Sequence, residues 1–269
     1  MPMTTQEWIT TLLETKGEGA TLPSSQKGFN LAQGYEVAHG LHGAQNKQGK
    51  TLVGRKIGIS NRAAWDALGL SDVVWGYVFE DTVIWADNNE HTLSLEGLPQ
   101  PKLEPEIVFG LKDVLPTDTR DPAELLKSVA WMALGFEVVQ CPYPDWKFKP
   151  ADLVATFGFH GALVIGDKMS LEGKKLSKLA ASLAETKATL YKGDEVVAEG
   201  GGTNVVDSPA VALGHIADLI AKDRGAEPLG ENELITTGTL TAAPSLTVGE
   251  TYRVSVTGLD LPELTLSLG

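Results

Sequence analysis

The chain has 269 residues, of which 42% are hydrophobic and 21% are charged, and its formal net charge is −13. This length and composition are ordinary for a globular protein with one large domain or two small ones. The acidity is expected to repel phosphate backbones and anionic lipid surfaces, so we expect no nucleic acid and no membrane among the partners. The single cysteine excludes an internal disulfide and a cysteine-rich zinc site.

The first fifty residues predict helices. Apolar residues recur at helical spacing over residues 5–16, and a second helical pattern, NLAQGYEVAHGLHGAQ, begins at Asn30 after a break rich in proline, serine and glycine at 23–28. No basic region precedes an apolar block, as in a signal peptide, and no apolar run reaches the roughly 20 residues of a membrane span. We therefore expect a cytoplasmic protein whose residues 1–50 form a helical N-terminal cap.

From residue 51 onward, short β-rich segments are interspersed irregularly with helices. The β-rich segments are TLVGRKIGIS, WGYVFEDTVIWA, LEPEIVFGL, ALGFEVVQC and GALVIGD. Asp121 and Ser208, each followed by proline, have the signature of helix N-caps, and KKLSKLAASLAE predicts a further helix. Because a regular βαβ rhythm is absent, residues 51–269 are predicted to form a compact α+β unit with a mixed sheet.

The end of the chain predicts β structure as well. KATLYKGDEVVAEG is typical of a hairpin about Gly193 and Asp194, and TYRVSVTGLDLPELTLSLG predicts two closing strands. The three glycines at 200–202 do not fit a dinucleotide-binding motif, and we interpret them as a turn.

Two glutamates, Glu104 and Glu106, lie inside the apolar segment PKLEPEIVFG. In an extended strand they point to the same face, about 6.6 to 7 Å apart. Pro105 between them predicts an edge strand or a bulge, because proline cannot donate to a ladder. Glu137 in ALGFEVVQC has a similar apolar setting.

Three glutamates in apolar β surroundings would repel one another and lose hydration, at a cost of several kcal/mol for each uncompensated carboxylate. A divalent cation would remove that cost. Carboxylates without histidine or cysteine favour a hard ion such as Mg²⁺ or Mn²⁺. The alternative is that these glutamates face solvent from a half-exposed sheet, which strand alternation also permits.

A lysine, Lys56, lies in the predicted strand LVGRKIGIS beside Arg55. The two side chains point to opposite faces of an extended strand, so at most one of them is expected to enter a site on that sheet. A lysine beside a metal would attract a carboxylate, and it could move a proton if its pKa were lowered. The alternative is an ordinary surface lysine.

Five segments carry a likeness to a known family: GRKIGIS, WGYVF, PKLEPEIVFGL, GFEVV with a following DW, and ITTGTLTAAPSLTVGETYRVSVTGL. In this order they resemble the 2-oxopent-4-enoate hydratase / 4-oxalocrotonate decarboxylase family of the fumarylacetoacetate hydrolase superfamily, from about residue 30 to the C-terminus. The resemblance implies a mixed β-roll of the fumarylacetoacetate hydrolase C-terminal type, a helical N-terminal cap and homo-oligomers. It also implies a lyase for a small 2-oxo acid of aromatic meta-cleavage catabolism.

The resemblance further implies site residues. By motif position, Glu104, Glu106 and Glu137 are the ligands of Mg²⁺ or Mn²⁺. Lys56 matches the active-site lysine of G-x-K-x-G, with a catalytic and substrate-binding role. Thr239, in TGTLT, matches a loop that closes over the substrate.

Two departures from the family pattern alter the expected pocket. Phe159 is near the position of a family serine, and Pro142 is near that of a family arginine, so a hydroxyl and a guanidinium are missing. Phe159 is then a candidate substrate contact. His160 could replace part of the lost polarity as a catalytic residue, the alternative being a structural histidine. The segments LEPEIVF and VWG, the latter at 74–76, resemble the decarboxylases of the family more than its hydratases.

In both hydration and decarboxylation the 2-oxo oxygen on the metal would take up the developing negative charge. The sequence therefore leaves both reactions open. His39 in the helical cap, one turn after Glu36, is a candidate acid or base, which would suit an acylpyruvate hydrolase or an oxaloacetate decarboxylase. Its alternative is a solvated helix face. A further alternative is a metabolite-binding relative without activity, motivated by the missing serine and arginine and opposed by the three glutamates.

Overall fold

The computed structural model describes residues 3–15, 22 and 29–269. The helices of this part of the chain are α1 Thr5–Thr15, α2 Leu31–Lys47, α3 Trp65–Leu68, α4 Pro122–Leu125, α5 Pro150–Ala155, α6 Leu176–Glu185 and α7 Pro209–Lys222. The strands are β1 Leu52–Gly58, β2 Val74–Phe79, β3 Val83–Trp85, β4 Glu90–Leu93, β5 Lys102–Leu111, β6 Val129–Val139, β7 His160–Ile165, β8 Met169–Ser170, β9 Lys187–Lys192, β10 Glu195–Gly201, β11 Leu234–Thr236, β12 Thr251–Thr257 and β13 Leu264–Leu268. This is the mixed α+β architecture that the segment pattern predicts.

The strands form two mixed sheets. The larger sheet has the order β2-β1-β11-β5-β6-β7-β3, with β8 paired to β6, and the smaller has the order β10-β9-β12-β13-β4. β1 runs parallel to β11 and β3 runs parallel to β7, whereas β5 is antiparallel to both of its neighbours. The two long strands β5 and β6 therefore lie at the centre of the larger sheet.

The helical cap joins the same core as the sheets. Asn30 and Gln33 form a reciprocal capping box at the start of α2, and one cluster of buried apolar side chains extends from Trp8 in α1 to Leu268 in β13. The division at residue 50 stays a prediction, and the break predicted at 23–28 lies outside the described residues. No helix in the described ranges has the length and hydrophobicity that a membrane span requires.

Local signals in the sequence correspond to the observed element ends. The Asp121 carboxylate accepts a hydrogen bond from Ala123 N at 2.9 Å, and the Ser208 hydroxyl accepts one from Ala210 N at 3.3 Å, so both N-caps are confirmed. The hairpin about Gly193 is confirmed by β9 and β10, and the two closing strands are confirmed by β12 and β13.

The interpretation of the glycines at 200–202 as a turn is wrong. Gly200 and Gly201 end β10, and only Gly202 begins a short 3-10 helix. The reason for glycine is close approach: a Cβ at Gly200 would lie 2.0 Å from the carbonyl oxygen of Leu240.

The edge strand or bulge predicted from Pro105 is also wrong, because β5 lies inside the larger sheet. β11 pairs with β5 only over residues 108–110, so it ends before it reaches the proline. The carbonyl of Pro105 accepts a hydrogen bond from Leu240 N at 2.8 Å. The missing N–H therefore faces the loop that follows β11, where the ladder needs no donor.

Candidate active site

Three carboxylates meet on the ladder between β5 and β6. Glu104 lies opposite Glu137, and Glu106 lies opposite Gly135. One oxygen of each of Glu104, Glu106 and Glu137 lies within 4.8 Å of the others. Glu106 and Glu137 are fully buried, whereas Glu104 is partly exposed. The solvated half-exposed arrangement therefore does not hold for Glu106 or Glu137.

Lys56 on β1 points at this cluster. Its Nζ lies 2.9 Å from Glu137 Oε2 and donates to the carbonyl of Gly158 at 2.9 Å. Arg55 points the other way and pairs with Glu233 at 2.8 Å, as the strand alternation predicts. Burial alone would lower the pKa of Lys56, but the charges of the three glutamates outweigh it and raise that pKa. The lowered pKa that proton transfer requires is thus not produced by these residues alone.

The three carboxylates differ in their affinity for protons. Burial raises the pKa of Glu104 to about 7, with Lys56 opposing and Glu137 adding to the rise. Burial and the charges of Glu137 and Glu104 raise the pKa of Glu106 well above its usual range. Burial also acts upward on Glu137, but Lys56 and His160 outweigh it and lower its pKa. Without a further cation, one carboxylate is held ionised and two favour a proton.

The two carboxylate oxygens of Glu106 differ in their hydrogen bonds. Its Oε2 accepts hydrogen bonds from the Thr236 hydroxyl and, at 2.8 Å, from Gly238 N. Its Oε1 is buried and has no hydrogen-bond partner among the described residues. A fixed carboxylate with one free oxygen, beside two further carboxylates, matches the all-oxygen donor sets of Mg²⁺ and Mn²⁺. The residues fit such an ion.

His160 supports Glu137. Its Nδ1 lies 2.8 Å from Glu137 Oε1, and its Nε2 lies 2.8 Å from Thr82 Oγ1. Thr82 also donates to the carbonyl of Phe79 at 2.7 Å, so both ring nitrogens of His160 have partners that are themselves held in place. The ring is thereby fixed in orientation with Nδ1 against the carboxylate.

The segment before His160 has an unusual backbone. Phe157, Gly158 and Phe159 are consecutive residues with φ of 58°, 69° and 62°, in the left-handed region that non-glycine residues avoid. Such strain persists only where the surroundings impose it, and it concentrates at functional sites. Here Gly158 presents its carbonyl to Lys56. Phe159 packs on three further aromatic residues: Tyr143, Trp146 and Phe148.

Two predicted site residues have other contacts. Thr239 donates to the carbonyl of Thr241 at 2.9 Å. His39 has Nδ1 2.8 Å from the Tyr77 hydroxyl and Nε2 3.1 Å from the Asp223 carboxylate, so neither nitrogen is left for Glu36. Its catalytic role stays a prediction, and these contacts favour a structural role that joins α2 to β2 and to the end of α7.

Sequence reasoning missed the groups that hold the glutamates. Thr236 and Gly238 lie three residues and one residue before Thr239 in ITTGTLT, so the motif indicated the loop but not which of its residues faces Glu106. Thr82 gave no signal in the sequence, because its role depends on the parallel pairing of β3, just beyond it, with β7.

No protein-family model matches the chain. Among curated proteins it is 28% identical over 212 residues to 2-keto-4-pentenoate hydratase 2 of Dechloromonas aromatica (strain RCB), covering 79% of this chain and 77% of that enzyme. Among solved structures it is similar to 4-oxalocrotonate decarboxylase from Pseudomonas putida G7 complexed with magnesium and adipate. That match has a TM-score of 0.87 at 20% identity and covers 98% of this chain and 97% of the other. The predicted resemblance is confirmed.

A more distant structure shares part of the fold. Fumarylpyruvate hydrolase from Pseudomonas aeruginosa, in complex with Mn²⁺ and pyruvate, matches with a TM-score of 0.58 at 14% identity over 81% of this chain and 89% of that one. The mixed α+β fold with two curled sheets is shared with these solved structures, as predicted. The homo-oligomer and the cytoplasmic location stay predictions.

Proposed function

We propose that this chain is a divalent-metal-dependent lyase, a hydratase or decarboxylase of a small 2-oxo acid with an unsaturated chain. The observation that carries the proposal is the cluster of Glu104, Glu106 and Glu137 on one ladder, with a free buried oxygen on Glu106. The hydratase among the curated relatives supports the substrate class.

In this proposal Glu104, Glu106 and Glu137 hold Mg²⁺ or Mn²⁺. When bound, such an ion supplies Lewis-acid stabilisation of the negative charge that develops on the 2-oxo oxygen during the reaction.

Other residues of the chain attract the substrate and position the metal ligands. Lys56 places a positive charge beside the cluster in a protein whose net charge is −13, which favours the carboxylate of an anionic substrate. Thr236 and Gly238 fix Glu106, and His160 fixes Glu137, which keeps the ligand oxygens in place.

Both reactions are compatible with these residues. Hydration adds the elements of water across the distal double bond, and decarboxylation replaces a carboxylate by a proton. The contacts of His39 with Tyr77 and Asp223 give no support to the acylpyruvate hydrolase or oxaloacetate decarboxylase alternatives.

The experiment that tests the proposal is thermal unfolding of the whole protein with EDTA, with Mg²⁺, and with Mg²⁺ plus oxalate or pyruvate. A ligand of the native state at about 100 times its Kd stabilises by about 2.7 kcal/mol, so each addition should raise Tm in turn. Absorbance assays with 2-hydroxypentadienoate and with 4-oxalocrotonate then separate hydratase from decarboxylase. A rise in Tm without turnover of either substrate would favour the inactive metabolite-binding relative, and an unchanged Tm under all conditions would overturn the proposal.

A further inference from the structure

Exposure to solvent increases along the face of β5 that carries the acidic cluster. Glu106 is fully buried, Glu104 is partly exposed, and Lys102, two residues nearer the start of the strand, is partly exposed as well. Residues two apart in a strand share a face and lie about 6.6 to 7 Å from each other. A ligand that reaches the glutamates from the exposed end of this row therefore passes Lys102.

Lys102 is held in place by an aromatic ring. Its Nζ lies 4.3 Å from the centroid of the Trp146 ring, which is a cation–π contact. The Trp146 indole N–H donates to the carbonyl of Gln100 at 3.1 Å, so the ring is fixed beside the start of β5. Lys102 forms no ion pair with any described residue. The ring positions its positive charge without neutralising it.

The Trp146 ring also contacts the strained segment 157–160. It meets the Phe159 ring edge-on, with the centroids 5.8 Å apart and the planes at 89°. Phe159 follows Gly158, whose carbonyl accepts a hydrogen bond from Lys56. The two lysines therefore lie at different ends of the carboxylate cluster: Lys56 at the buried Glu137 and Lys102 at the exposed end.

The charge of Lys102 reaches the cluster. Burial raises the pKa of Glu104, whereas the charges of Lys56 and Lys102 act to lower it. The protein as a whole has a net charge of −13, and such a field repels an anion that approaches from solvent. A positive charge at the exposed end of the cluster offsets this repulsion where it matters for binding.

We infer that Lys102, positioned by Trp146, is an entrance residue that attracts an anionic substrate to the metal-loaded cluster and so favours anionic over neutral ligands. The inference rests on the proposed function, since the ligand is taken to bind at a metal ion held by the glutamates. The same charge repels the metal ion itself. Removal of the charge should therefore weaken the binding of an anion without weakening that of a cation, whereas a loss of local structure would weaken both.

The test is calorimetric titration of Lys102→Met, which keeps most of the length of the side chain but not its charge. At about 0.01 M ionic strength, where charges act over about 30 Å, we expect pyruvate to bind the Mg²⁺-loaded variant about two- to fivefold more weakly than the wild type. At about 1 M salt, where charges act over about 3 Å, the difference should fall below about twofold. Mn²⁺ affinity without pyruvate should be unchanged or should rise by up to about threefold.

Two further variants separate the charge from the rest of the side chain. Lys102→Arg keeps the charge and the contact with the Trp146 ring, so pyruvate affinity should stay within about twofold of the wild type. Lys112→Met is the matched control, because it removes an exposed lysine just beyond the opposite end of β5. It should change neither the pyruvate nor the Mn²⁺ affinity.

Each outcome points to one conclusion. If pyruvate binds the wild type and binds Lys102→Met equally well at low ionic strength, the inference is overturned and the proposed function stands. Parallel weakening of pyruvate and Mn²⁺, or a weakening of pyruvate that persists at about 1 M salt, also overturns it, because neither is the effect of an attracting charge. If pyruvate does not bind the Mg²⁺-loaded wild type, the proposed function falls and the inference falls with it.

Discussion

Glu104 and Glu137 occupy one position of the ladder between β5 and β6, so two carboxylates face each other across neighbouring strands. Like charges directly opposite in a sheet are destabilising. Glu106 adds a third carboxylate from the next position on the same face, and Lys56 supplies one compensating charge. The cluster is therefore stable only with additional cations, which are either protons or a metal ion.

Replacing Glu106 by glutamine should weaken metal binding. Glu106→Gln keeps the size of the side chain and an acceptor for Thr236, but it removes the charge of the free oxygen. We expect the affinity for Mn²⁺, measured by titration, to fall at least about tenfold. Glu124→Gln, at an exposed glutamate paired with Lys127, is the control and should change nothing. Undiminished Mn²⁺ affinity of Glu106→Gln would remove this residue from the ligand set.

The hydroxyl of Thr236 should matter to the metal as well as to the fold. Thr236→Val removes the donor to Glu106 without changing the shape of the side chain, and we expect Mn²⁺ affinity to fall about 10- to 100-fold. The matched control is Thr237→Val, which removes a buried hydroxyl that donates to the carbonyl of Ile107 at 2.9 Å. Both variants should lose about 1 kcal/mol of unfolding free energy. Equal metal affinities of the two variants would contradict a positioning role for Thr236.

Metal binding should depend on pH, because Mg²⁺ and protons compete for the same carboxylates. Burial raises the pKa of Glu104 to about 7 and, together with the charges of Glu137 and Glu104, raises the pKa of Glu106 well above its usual range. We therefore expect Mg²⁺ affinity to rise as the pH increases through 7 and beyond, with release of protons. Calorimetry at one pH in two buffers of different ionisation enthalpy measures that release directly. Binding without proton release near pH 6.5 would show that the carboxylates are already ionised.

The same pKa shifts should make the stability of the metal-free protein depend on pH. A carboxyl group whose pKa is raised by folding stabilises the native state below its unfolded pKa, and this contribution is lost as the pH rises through the folded pKa. For Glu104 that window runs from 4.5 to about 7. In EDTA we expect Tm to fall across and above this window, by about 2–4 °C for each kcal/mol lost in a protein of this size. Added Mg²⁺ should remove most of the fall, and a parallel fall in Mg²⁺ would contradict the assignment.

The sequence was sufficient for features that depend on local pattern. The common face of Glu104 and Glu106 follows from strand alternation. The N-terminal ends of α4 and α7 follow from their N-cap residues, Asp121 and Ser208. Features that depend on which segments meet were not predictable. The position of Pro105 beyond the end of β11 requires the sheet order, and the partners of His39 come from β2 and the end of α7. The burial of the Gln45 side chain on α2 likewise depends on how the cap packs.

Gly76 should prove essential for the position of the strained segment 157–160 beside the acidic cluster. A Cβ at this position of β2 would lie 2.3 Å from the carbonyl oxygen of Phe157, which is backbone and cannot rotate away. Gly76→Ala should therefore displace the segment 157–160 and reduce the unfolding free energy by about 1–3 kcal/mol. It should also weaken pyruvate binding in Mg²⁺, because Gly158 then moves away from Lys56.

The control for Gly76→Ala is Gly43→Ala, at a position of α2 where an added Cβ would meet nothing within 4 Å. That change should leave pyruvate binding unaltered and raise stability by up to about 1 kcal/mol, since alanine favours the helix. Denaturant unfolding and pyruvate titration, applied to both variants, check the two effects separately. If Gly76→Ala kept wild-type stability, the close approach of β2 to Phe157 would not constrain the segment 157–160, and the strain at residues 157–159 would need another source.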